Sequence, residues 1–169
     1  IMAMGMPYAA MWRYLGSATP SYGNMVSTFH TFYEAYPTPS GALSAIDCRQ
    51  MDALASIMRN INSRYALPQA MVDSLQVLDG FATPLFFDLG DYVDHLCANA
   101  TLLSDFHAQL KRAVPYAAST QTLYSYLYDH PVYIPVNTFS GITISDPSTS
   151  SVAEKGKKNT EWWKATHEE

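Results

Sequence analysis

Residues 40–58, SGALSAIDCRQMDALASIM, change their apolar period at a single residue, Asp47. Leu43, Ala45 and Cys48 are interleaved with Ser44, Ile46 and Asp47, which reads as a short strand buried on most sides. Asp47 then offers the side-chain oxygen that a helix N-cap requires, and Gln50 stands where a capping box would place it. Met51, Leu54, Ala55, Met58 and Ile61 follow at helical spacing and set one apolar stripe on one face. A buried strand feeding an amphipathic helix predicts a layered α/β sandwich.

Upstream of this switch, Pro7 is placed for the first turn of a helix over 7–15, broken at 16–20. Ser21 can cap a second helix, in which Met25, Phe29, Phe32 and Tyr36 form the stripe. Downstream, the helix beginning near Cys48 is expected to end near Arg64, and a shorter one to span 68–78. Residues 81–89 read as a loop with an aromatic middle, after which Asp88 caps a helix and Thr101 caps the next. Strands are expected over 114–120 and 140–145, the latter from the alternation of Ile142 and Ile144 with polar residues. In all, the pattern predicts three or four short strands among about seven helices. Residues 149–158 are expected to be a mobile polar loop, and 159–169 a terminal helix on the same domain as 1–148.

Composition narrows the function classes. At 169 residues the chain can bury a substantial core. Only 15% of residues are charged, where about a quarter is usual. Either another chain covers surface that would otherwise be charged, or the 12 tyrosines supply an exterior that counts as hydrophobic while exposing hydroxyls. The net charge of −5 and a lone basic cluster at Lys155, Lys157 and Lys158 argue against nucleic-acid binding. No apolar run is long enough to predict a transmembrane span. The first residue is Ile, with no signal-peptide pattern after it, so a processed or trimmed chain is expected.

Candidate chemistry is sparse. Cys48, at a strand end and a helix start, is where a thiol could be activated, but an ionised Asp47 beside it opposes the thiolate, and a buried structural cysteine is the simpler reading. Cys97 reads the same way. Asp91 and His95 share a helix face, yet two ligands do not make a metal site. Asn99-Ala100-Thr101 matches a glycosylation acceptor, with a helix cap as the better reading. No catalytic residue, metal or cofactor is assigned within the chain.

Read as LSAID before an amphipathic helix, the opening stretch resembles the C-terminal half of clostripain-family cysteine peptidases, which are similar in fold to caspases and gingipains. Four further blocks agree in order: MAMGMPY (2–8), FFDLGDYVDHL (86–96), VPYAAST (114–120) and SGITISDP (140–147) before Trp162 and Trp163. The resemblance implies an α/β caspase-like three-layer sandwich of which this chain is the C-terminal part. In that family the catalytic His precedes Gly and the nucleophilic Cys follows an Asp-x pair. Here His30, His95, His107, His130 and His167 precede Thr, Leu, Ala, Pro and Glu, so neither motif is present.

By that likeness, the catalytic dyad belongs to a separate N-terminal chain of the same precursor, the partner of this one. This chain would supply core, sheet edge and one wall of the substrate pocket, and would be inactive alone. Ala3, Met4 and Gly5 fall where the family's primary pocket is lined, with no carboxylate to meet the basic residue the family prefers. Either the acid comes from the partner or a less basic residue is preferred. The resemblance also implies a peptide or protein substrate and a secreted or cell-envelope bacterial protein. A non-catalytic binding or structural domain that keeps the fold without the dyad is the rival expectation, and a thiol hydrolase using Cys48 a third.

Overall fold

Helix α1 (Tyr22–Glu34) starts where the Ser21 hydroxyl accepts the Asn24 N–H at 3.1 Å, the capping predicted for it. The computed structural model describes residues 21–35 and 37–167, so the helix expected over 7–15 lies outside the described residues. Met25, Val26 and Phe29 of α1 are buried against Leu43 and Ala45 of strand β1 (Ala42–Ala45). Strand β1 pairs antiparallel with β4 (Tyr116–Ser119), Leu43 opposite Ala118.

At the end of β1, Asp47 N–H donates to Ala113 O at 2.8 Å, and the Asp47 carboxylate caps a single 3-10 turn, Cys48–Gln50. Helix α2 (Met51–Asn62) follows directly, with Leu54, Ala55, Met58 and Ile61 buried as the stripe required. The inserted turn moves Gln50 out of a capping box. Its carbonyl and Oε1 instead accept Gln109 Nε2 at 2.9 and 3.2 Å, which ties α2 to α4 (Ala100–Ala113).

Several expectations are corrected here. Residues 68–78 do not form one helix: a 3-10 segment, Gln69–Ser74, gives way to strand β2 (Val77–Gly80). The expected loop at 81–89 contains strand β3 (Pro84–Asp88), which pairs antiparallel with β2 and with the two-residue β7 (Thr143–Ile144). A further hairpin joins β5 (Thr122–Ser125) to β6 (Val132–Pro135). The described residues thus hold seven strands and six α-helices, more strand than the sequence pattern predicts.

The main core gathers α2, β3, α3 (Leu89–Leu96) and α4, with Leu54, Met58, Ile61, Phe87, Val93 and Phe106 among its most buried members. Helix α4 is capped by Asn99, whose Oδ1 accepts Leu102 N–H at 2.9 Å, and not by Thr101. Residues 151–157, inside the stretch expected to be a loop, form helix α5 (Ser151–Lys157) on a Ser150 cap. Helix α6 (Glu161–Thr166) lies against α2, where Arg59 Nε donates to Ala165 O at 2.8 Å and Trp162 packs on the core.

Gly141 holds φ at 88°, in the left-handed region where L side chains are strained. A Cβ there would also sit 2.6 Å from Val114 Cγ1. That close approach lets Gly141 O accept the Ser44 hydroxyl at 2.7 Å, fastening the loop before β7 to β1.

Fully buried Asp88 caps α3 through Oδ1, which accepts Asp91 N–H at 3.0 Å, while Oδ2 accepts Ser140 N–H at 2.6 Å. Asp88→Ala strands both donors, so a loss of about 3 kcal/mol is expected in chemical denaturation. A loss below about 1 kcal/mol would show that the carboxylate is not a structural hub.

Candidate functional site

A cleft of about 500 Å³ opens at the C-terminal end of β1, lined by Tyr22, Ile46, Asp47, Cys48, Arg49 and Pro115 among others. Cys48 is exposed there, which corrects the expectation of a buried thiol, whereas Cys97 is buried with Sγ 3.6 Å from Asn99 O. The 3-10 turn explains the difference. Cys48 opens that turn, three residues past Ala45, the last buried residue of β1.

Asp47 is engaged three times by Arg49, whose backbone N–H, Nε and Nη2 donate at 3.1, 2.9 and 2.8 Å. This fork-on-carboxylate geometry holds the Asp47 carboxyl below its ordinary value, the side-chain hydrogen bond being the leading cause. Asp47 is therefore a cap and an ion-pair partner of Arg49.

The histidines are engaged away from the thiols. His30 Nε2 donates to Ser119 O at 2.9 Å and His107 Nε2 meets Asp94 Oδ1 at 2.6 Å. His95 Nδ1 donates to Asp91 O and His130 Nδ1 to Tyr128 O, each at 2.8 Å, while His167 stacks on Trp163 with centroids 3.5 Å apart. The Asp91 and His95 pair is structural as well, because Asp91 Oδ2 accepts Gln76 N–H at 2.6 Å. Among the described residues no group of three or more His, Cys, Asp or Glu is disposed to hold a metal ion.

Of the other sequence candidates, Ala3, Met4 and Gly5 lie outside the described residues. Asn99 is occupied as a helix cap. The basic cluster is not a free patch, since Glu154 meets Lys157 at 2.6 Å and Lys158 at 3.3 Å. Six tyrosines, at 22, 116, 124, 126, 128 and 133, are exposed, as a tyrosine-rich exterior requires. Sequence reasoning missed Gln76, whose side chain joins β6 to the loop after it: Nε2 donates to Pro135 O at 2.9 Å and Oε1 accepts Asn137 N–H at 2.7 Å. Its position directly before an apolar pair was the available signal.

The whole arrangement superposes on a clostripain from Bacteroides thetaiotaomicron ATCC 29148, solved in complex with the peptide inhibitor BTN-VLTK-AOMK. The TM-score is 0.86 and the identity 46%, over 100% of this chain and 74% of that one. The chain belongs to the clostripain family of cysteine peptidases. A secreted C11 cysteine protease of the same species, iotapain, matches at TM-score 0.85 and 46% identity over 99% of this chain and 46% of that one. An inactive zymogen C11 protease from Parabacteroides distasonis matches at TM-score 0.70 and 25% identity, over 86% and 43% of the two chains. No family model and no curated protein matches. The fold is the family's α/β caspase-like sandwich, and this chain spans less than half the length of iotapain.

Two measurements check the geometry of the cleft. Iodoacetamide is expected to modify native protein at Cys48 and to reach Cys97 only after denaturation; equal labelling of both in the native state would contradict the exposure described. In a carboxyl NMR titration Asp47 is expected to titrate below 3.8, and Arg49→Ala to return it toward that value. The sign follows from linkage: a depressed carboxyl stabilises the fold above its unfolded value, and that contribution is lost as pH falls through the folded one.

Proposed function

We propose that this is the C-terminal chain of a clostripain-like cysteine endopeptidase, whose catalytic His and Cys lie on a separate N-terminal segment. The observation that carries it is 46% identity to a clostripain along the full length of this chain, joined to the absence of any His–Gly or Asp-x-Cys sequence within it.

In the assembled enzyme a thiolate attacks the scissile carbonyl, a histidine protonates the leaving amine, and backbone N–H groups stabilise the oxyanion. All of those groups belong to the partner segment. This chain contributes the core that holds the sheet, the sheet edge, and one wall of the substrate pocket at Ala3, Met4 and Gly5. A peptide substrate is supported by the inhibitor carried by the related clostripain, and export by the description of iotapain as secreted. Among the described residues no helix is long and apolar enough to cross a membrane.

Intact mass spectrometry of the denatured, purified protein tests the split. A second polypeptide carrying His–Gly and Asp-x-Cys is expected, and peptidase activity should be unchanged within about twofold by Cys48→Ala. An 18.8 kDa species that cleaves peptides by itself and loses activity with Cys48→Ala would overturn the reading. An inert, folded 18.8 kDa species would favour a binding or structural domain instead.

A further inference from the structure

The β5–β6 hairpin leaves one edge open. Tyr124 N–H donates to Ser40 Oγ at 2.7 Å and Val136 N–H to Gln121 O at 2.9 Å, which makes Tyr124 and Tyr133 a non-hydrogen-bonded pair of the ladder. The backbone N–H and C=O of Tyr133 therefore point away from β5. Pro131 and Pro135 stand on the same edge and have no N–H, and the Pro135 carbonyl already accepts Gln76 Nε2 at 2.9 Å. One donor remains on this edge, enough to pair with a short extended peptide and too little to recruit a sheet.

A groove of about 590 Å³ runs along that edge, between β6 and residues 73–77. Tyr128 and Tyr133, 58% and 48% exposed, line it together with Asp73 and Asp91. Asp91 is partly engaged, since Oδ2 accepts Gln76 N–H and Oδ1 lies 3.7 Å from His95 Nδ1. Asp73 is exposed and joins none of the ion pairs among the described residues. No Lys or Arg lines the groove, and none occurs between Arg64 and Lys111 or between Arg112 and Lys155. The turn that presents Tyr128 is strained as well. Tyr128 and Asp129 hold φ at 57° and 59°, in the left-handed region that disfavours L side chains. The Tyr128 ring is left exposed there, so core packing does not compensate the strain, as is common at binding sites.

We propose that this groove is a docking site for an extended segment of a second polypeptide that carries Lys or Arg. Tyr133 supplies the strand pairing, Asp73 and Asp91 the counter-charge, and the Tyr128 and Tyr133 rings a face for the cation. Tyrosine offers a large, rigid contact area at low conformational cost, and arginine is a frequent counterpart at the centre of protein interfaces. A second copy of this chain is a poor occupant. Its net charge is −5, and Lys157 and Lys158 of its one basic cluster are already paired with Glu154. The groove shares no lining residue with the β1 cleft, so the site stands whether or not the chain serves a peptidase.

The test is calorimetric titration of the intact protein as isolated, alkylated with iodoacetamide so that no cysteine cleaves the probe; the groove contains no Cys. The probe is a short, capped peptide of alternating Val and Arg, compared with the same peptide carrying Glu for Arg. Saturable one-to-one binding of the Arg peptide is expected, weakened by salt and about tenfold or more tighter than that of the Glu peptide. Asp73→Asn should weaken it about fivefold. Tyr128→Gly should also weaken it about fivefold while raising the thermal midpoint, because glycine takes the left-handed conformation freely. No saturable binding, equal affinity for the Glu peptide, or unchanged affinity in either variant would each overturn the proposal. Self-association that Tyr128→Gly abolishes would make a second copy the occupant and would overturn it equally.

Discussion

One buried carboxylate, that of Asp88, is the constraint on which the rest of the chain depends. It sits at the end of β3, starts α3 by accepting the Asp91 N–H, and captures the loop before β7 by accepting the Ser140 N–H. Ser140 returns the contact, its hydroxyl accepting the Gly90 N–H at 3.1 Å. A charged group out of water is tolerated only when its lone pairs are met. Here strand, helix and loop must all be present for that to hold. From this junction Asp91 accepts the Gln76 N–H and Gln76 reaches β6, so one polar network links β3, α3 and β6.

The second organising feature is the switch at Asp47. Its carboxylate ends β1, caps the next turn and is paired with Arg49, which leaves Cys48 exposed with no acid or base hydrogen-bonded to it among the described residues. The geometry is that of a well-made strand end beside a cleft. A family member whose exposed thiol lacks a histidine is intelligible when its chemistry resides on another segment. Exposed tyrosines, such as the Tyr124 and Tyr133 pair with centroids 5.6 Å apart, make up part of its low-charge surface.

Much of this was legible in the amino-acid sequence wherever a polar cap adjoined an apolar stripe. Ser21, Asp47 and Asp88 each cap as expected because the side-chain oxygen precedes a clear helical period. Thr101 misled because Asn99, two residues earlier, is the better cap and already reaches the Leu102 N–H. The β2–β3 hairpin was obscured by its register shifts and by Pro84 at the start of a strand. The β5–β6 hairpin was hidden for another reason: Tyr124 and Tyr133 lie on its outward face, so apolar letters occur on both sides of the pleat. The helix at 151–157 was missed because Lys157 looks like a surface residue in sequence, while in the fold it supplies the buried contact. Long-range partners of that kind leave no local period to read.

The proposed division of labour between this chain and a separate catalytic segment is tested most directly by covalent labelling. A biotinylated, thiol-reactive peptide ending in lysine would be reacted with the native protein, the polypeptides separated under denaturing conditions, and the biotin located by mass spectrometry. The account predicts label on a cysteine of the N-terminal segment, within an Asp-x-Cys sequence, and none on this chain. Activity-dependent label on Cys48 would contradict it, and would move the nucleophile to the end of β1.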